Sequence, residues 1–218
     1  MITLCRPAAA QSIERVELPG GGINLIVPED QCSIARDTEG GRRMVAQVQR
    51  TQTTKILLLY TGCDDARRIA GVWSGFEMKA YGVYSAPQRD GVPFKESKSA
   101  TREELIAGYA QVFPALDPAA IERLAQPRPP GEGAVAGKLV MGTLDRDANA
   151  LYLGVSARVN EAQAAAPDER KWAVAALTLI GGYMISHTAY GKPAPGAPFA
   201  ALLARQQRIA GLLVQANK

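Results

Sequence analysis

Apolar residues along this chain follow two rhythms, alternating or continuous over short runs in some stretches and recurring every third or fourth residue in others, and the changes of rhythm mark its elements. Ile23 to Val27 and Gln31 to Ala35 read as two short strands on either side of the turn Pro28-Glu29-Asp30. Between Arg42 and Thr51, Met44, Val45 and Val48 fall at helical spacing and predict a short helix. Lys55 to Thr61 carries Ile56, Leu57, Leu58 and Leu59 in succession, which predicts a strand covered on both faces, at the centre of a sheet. Val72 to Tyr84 reads as a long, bent strand with Gly75 and Gly82 as irregularities.

The middle of the chain turns helical. Thr101 and Glu104 form a capping box, each side chain reaching a backbone N–H of the other, and Leu105, Ile106, Tyr109 and Val112 supply the buried face. Phe113-Pro114 ends that helix, and Asp117-Pro118 opens a second, shorter one. Gln126 to Gly133 is a proline-rich connector. Two hairpins follow: Ala136 to Leu144 with Ala150 to Arg158, and Trp172 to Ile180 with Tyr183 to Tyr190 around Gly181-Gly182. Phe199 to Ala216 closes as an amphipathic helix whose stripe of Phe199, Leu202, Leu203, Ile209, Leu212 and Leu213 requires a sheet to cover, with Arg205, Gln206, Gln207 and Arg208 largely opposite as its polar side. Strands and helices do not alternate one for one, so the pattern predicts an α+β fold, an antiparallel sheet flanked by helices.

Composition narrows the function without naming it. With 218 residues, 47% hydrophobic and 21% charged, the chain is long enough to bury a core and too apolar for disorder. Its net charge of +4 comes from scattered basic residues such as Arg42-Arg43 and Arg67-Arg68, and only 6% of it is aromatic. A nucleic-acid binder concentrates cations on one face and interleaves stacking rings, so nucleic acid is not the expected partner. No apolar run approaches the ~20 residues of a membrane-spanning helix.

Met1 to Gln11 suits no folded element. Ala8-Ala9-Ala10 before Gln11 is a small-residue site of the kind signal peptidase accepts, so 1–11 reads as the remnant of a signal peptide, or alternatively a frayed tail, and 12–218 as a single α+β domain. Removing that segment takes Cys5 with it. The remaining pair, Cys32 and Cys63, each near a strand end, suits a disulfide formed outside the cytosol; the alternative is two buried free thiols.

The opening strands with Cys32, the run L-L-L-Y-T-G-C-D-D around Cys63, the A-A-L-T-L-I-G-G-Y hairpin and the closing A-A-L-L-A-R-Q-Q-R-I-A-G-L-L-V-Q-A-N helix resemble uncharacterised exported proteins of Gram-negative bacteria. Their arrangement is similar to the fold of the PsbP and Mog families, an α/β/α sandwich. The resemblance implies a periplasmic or secreted location and a role in binding another envelope protein. It carries no catalytic residue and no cofactor.

Residue chemistry agrees with that. The single histidine, His187, lies in the strand-like M-I-S-H-T-A-Y; its neighbour Ser186 points to the opposite face, so the two do not make a nucleophile and base. No G-x-S-x-G elbow is present. Asp145, Asp147 and Asn149 echo half a calcium loop, but Ala150 stands where that loop needs glycine and Ser156 where it needs glutamate, so the segment reads as a hairpin loop. Asp64 and Asp65 with Arg67 and Arg68 read as the paired first turns of a helix. Pro19-Gly20-Gly21-Gly22 precedes a strand and reads as a flexible lead-in, and Ser85 to Ser99 as either a long connection or a loop with a task. The expectation is a non-enzymatic periplasmic binding or accessory protein acting through protein–protein contacts. The alternatives are a hydrolase using His187 with a distant Ser or Asp, and a small-ligand carrier.

Overall fold

The structure, a computed structural model, describes residues 11–71, 78, 80–96, 100–116, 140–158, 170–191 and 199–218. It is α+β. A seven-stranded sheet, antiparallel throughout, runs in the order β3(Gln31–Ser33), β4(Lys55–Gly62), β5(Tyr81–Ala86), β11(Tyr183–Gly191), β10(Arg170–Ile180), β9(Leu151–Arg158) and β8(Val140–Arg146). Two small sheets accompany it, the hairpin β1(Ser12–Leu18)–β2(Gly21–Val27) and the pair β6(Gln88–Arg89)–β7(Val92–Pro93). Four helices are seen among the described residues: α1(Glu39–Arg50), α2(Cys63–Gly71), α3(Arg102–Val112) and α4(Ala200–Gln215).

Each face of the sheet is covered because alternate residues of its inner strands are apolar on both sides. On one face Leu58, Tyr60, Tyr84 and Ile185 pack under β2 residues Leu25 and Ile26 and α4 residues Ile209 and Leu213. Towards β9 and β10 the same face buries Trp172, Val174 and Ala210, with Phe199 meeting the Trp172 ring edge-on at 5.0 Å. The opposite face packs Ile56, Leu59 and Val83 on Met44 of α1 and Ile69 of α2, and Leu151, Leu153 and Leu177 on Ile106 of α3. The capping box at Thr101 and Glu104 forms as the sequence predicts, and Arg102 ties α3 to the sheet through the Leu179 carbonyl at 3.1 Å.

The β1–β2 hairpin is held against the end of α4 by paired amides. Asn217 accepts from the Asn24 N–H and donates to the Asn24 carbonyl, both at 2.8 Å, while the Asn24 side chain donates to the Ala216 carbonyl. Its turn corrects the reading of Pro19-Gly20-Gly21-Gly22 as a flexible lead-in: Gly20 has φ +90°, open to glycine at little cost, and the segment reverses a strand that the sequence pattern did not reveal. Gly181 and Gly182, at φ +56° and +85°, make the β10–β11 turn as predicted.

Three further expectations change. β4 is covered on both faces but is second from an edge; the centre of the sheet is β11, which continuous apolarity alone does not distinguish. The strand expected over 72–84 begins only at Tyr81, Met78 and Ala80 being irregular, while Trp73, Gly75 and Phe76 lie outside the described residues. Ser85 to Ser99 starts as the end of β5 and continues into the small β6–β7 sheet. The helix expected at Asp117 and the connector at Gln126 to Gly133 also lie outside the described residues.

Candidate functional site

His187 sits on the central strand, opposite Tyr84 of β5 and Ala176 of β10. Only 1% of it is exposed. Its ring stacks on Tyr84 at 4.1 Å between centroids, and its Nε2 meets the hydroxyl of Tyr60, which comes from β4, one strand further away. Gly82 makes that reach feasible. It pairs with Tyr60 in the ladder, and the Tyr60 ring occupies the space a side chain there would fill. Tyr84 donates to the Ile26 carbonyl at 2.8 Å, and Gln206 of α4, expected on the helix's polar side but fully buried, donates to the carbonyls of Val174 and His187 at 2.8 and 3.1 Å. The residues thus join five strands, β2, β4, β5, β10 and β11, to the closing helix.

Burial decides the chemistry of this cluster. It drives the His187 imidazole down to about 3, the Gln206 side chain opposing and Arg205 reinforcing the shift, and it raises the hydroxyls of Tyr60 and Tyr84 above their ordinary range. The imidazole is therefore neutral at physiological pH, with its Nε2 hydrogen-bonded to the Tyr60 hydroxyl. His187 Nδ1 and Gln206 Oε1 remain buried without hydrogen-bond partners. Ser186 faces away, pairing with Ser85 on the other side of the sheet, as the alternation predicted. The hydroxyl in reach of His187 is phenolic, and the group is sealed from solvent, so the arrangement joins strands and offers no approach to a substrate.

An acid response follows. Unfolded, His187 titrates near 6.5; folded, near 3, so between those values only the unfolded chain takes up the proton and stability falls as pH falls. The expected slope is about 1 kcal/mol per pH unit near pH 6, rising to a limit of about 1.4 kcal/mol per pH unit at lower pH, the most that one proton can contribute. No other histidine titrates in that window. Urea denaturation of wild type and His187→Gln at about pH 7, 6 and 5, values that straddle the ordinary histidine pKa, should show the slope in wild type and its loss in the variant. Equal slopes in the two proteins would reject this account.

Cys32 and Cys63 are joined as a disulfide, with 4.7 Å between α-carbons, tying edge strand β3 to the first residue of α2. That agrees with the expectation. Asp64 and Arg67 pair in the first turn of α2. Asp147, which echoed a calcium ligand, instead accepts from the N–H groups of Asn149 and Ala150 and from the Tyr152 hydroxyl, while Asp145 accepts from Gln207 of α4. Among the described residues, no three His, Cys, Asp or Glu side chains are grouped to hold a metal ion.

A solvent-open cleft of about 300 Å³ lies where the β2–β3 turn meets α4. Ile26, Ile209 and Leu212 give it an apolar lining. Two ion pairs flank it, Glu29 with Arg208 at 3.1 Å and Asp30 with Arg205 at 3.2 Å. Sequence reasoning missed this site: its carboxylates and guanidiniums lie 175 or more residues apart, and the arginines read only as the polar side of an amphipathic helix.

Fold and site together define an α+β protein with an antiparallel sheet between helices, a disulfide at one edge, a sealed histidine and an open cleft along the last helix. No protein-family model matches the chain, and no curated protein matches it in sequence. None of its helices among the described residues is long and apolar enough to cross a membrane.

Proposed function

We propose that this is an exported, non-enzymatic binding protein of the cell envelope that engages another protein through the α4 cleft. The observation carrying the reading is the composition of that cleft, an apolar patch flanked by two carboxylate–guanidinium pairs. A partner's aliphatic side chain fills such a patch while its charged neighbours exchange with the flanking pairs, which are accessible enough to repartner at little cost. The Cys32–Cys63 disulfide supports export, since thiols stay reduced in most cytosols. The resemblance to PsbP and Mog proteins, which mostly bind other proteins, points the same way. A hydrolase built on His187 draws less support, because the ring is sealed in the core with Tyr60 as its partner. A carrier would need an enclosed apolar cavity, whereas this cleft is open to solvent.

Site-specific photo-crosslinking in intact cells tests the reading. A benzophenone amino acid at Leu212 should give a discrete adduct with an envelope protein, and the same probe at exposed Met141 on β8 should not. Identical adducts at both positions, or none at Leu212, would reject the cleft as the binding site.

A further inference from the structure

We propose that β1 is a self-pairing edge through which two copies of the chain associate, strand against strand, antiparallel about Val16. β1 pairs with β2 on one side, and among the described residues no strand lies on the other. The two-residue turn Pro19-Gly20 makes Leu18 and Gly21 the closing hydrogen-bonded pair. Ser12, Glu14, Val16 and Leu18 therefore turn their backbone groups to β2, and Ile13, Arg15 and Glu17 turn theirs outward. Such a row is a template for another extended chain.

Charge selects the occupant and its register. Arg15 and Glu17 lie on the solvent side of the hairpin over Gly22, bonded to each other at 2.8 Å, with their side chains 62% and 72% exposed. Antiparallel pairing centred on Arg15 sets that residue against its own copy, which like charge disfavours. Pairing centred on Glu14 leaves Arg15 facing Ile13 and Glu17 facing Gln11, with neither charge matched. Centred on Val16, the register sets Arg15 against Glu17 twice over. Both are outward-facing residues, so about four backbone hydrogen bonds form in the same arrangement. A second copy is thus the chain whose charges this edge already matches. Ile13, 58% exposed at the start of the strand, gains cover when the edges meet. Four backbone bonds and two exposed ion pairs make a weak, reversible dimer.

Sedimentation and cysteine trapping test this, both in a Cys5→Ser background. Wild type should show a reversible monomer–dimer equilibrium. Glu17→Arg should weaken it roughly tenfold or more, and Arg15→Glu/Glu17→Arg should restore it. Thermal melts of the three confirm that the hairpin still folds. For trapping, Arg15→Cys and Glu17→Cys are oxidised separately and mixed. A disulfide-linked dimer should form in the mixture, where one Arg15–Glu17 pair survives, and not with either variant alone. A wild-type monomer at every concentration, a dimer indifferent to the charge changes, the Arg15→Cys variant linking to itself, or that variant capturing a different protein in the cell would each overturn self-pairing.

Discussion

Gly82→Ala is expected to cost about 2 to 6 kcal/mol of stability, although the change adds only one methyl group. A β-carbon at Gly82 would lie 2.0 Å from Cζ and 2.2 Å from the hydroxyl oxygen of Tyr60. The backbone there is ordinary extended strand, so the cost is steric and not conformational. Nor is the ring free to retreat, because Tyr60 is 1% exposed and its hydroxyl is anchored on His187. Overpacking costs roughly 1 to 3 kcal/mol, and losing the Tyr60 bond leaves a buried imidazole nitrogen unpaired for about 1 to 3 more. Tyr60→Leu removes the ring and the clash together. Gly82→Ala/Tyr60→Leu should therefore be more stable than the two single changes predict in sum, by at least about 1 kcal/mol in urea denaturation. Strict additivity, or a Gly82→Ala protein within about 0.5 kcal/mol of wild type, would show that Tyr60 does not occupy that space.

What could be read in advance was whatever local spacing encodes. The capping box at Thr101, the Gly181-Gly182 turn, the stripe on the last helix and the charge pair opening α2 each depend on residues within a few positions of one another, and each is present. The α+β class followed from their order. Position within the sheet did not, because β4 is a continuous apolar run buried on both faces although it lies second from an edge, whereas the central β11 alternates buried with half-buried residues and carries Ser186, His187 and Thr188. β1 escaped notice for a related reason. Its half-buried face is Glu14, Val16 and Leu18, with Ile13 on the solvent side, so a strand lying on the margin of the core lacks a clean alternation. His187 was correctly separated from Ser186 by the period of a strand, but its burial depends on Tyr60, 127 residues earlier, and on Gln206 from a helix. The cleft was hidden by distance in the chain, since Glu29 and Asp30 acquire meaning only when α4 is laid beside them.

Replacing Cys32 and Cys63 together by serine should lower stability by about 3 to 4 kcal/mol, the unfolded-chain entropy returned when a loop spanning 31 positions is opened. For a chain of this size that corresponds to a melting temperature lower by about 10 °C. Reduction of the wild-type protein by a small thiol should give the same shift, and the double serine variant should not respond to it. A change of less than about 2 °C in both experiments would mean that the bond constrains little. Where the loss appears first separates two origins of the effect. β3 is an edge strand with three paired residues, and the bond fastens it to the first turn of α2. If the disulfide acted on the unfolded chain alone, hydrogen-exchange protection would fall evenly over the sheet in the serine variant. Because so short an edge has little else to hold it, the amides of β3 and the start of α2 are expected to open first, while those of β10 and β11 keep exchanging only through global unfolding.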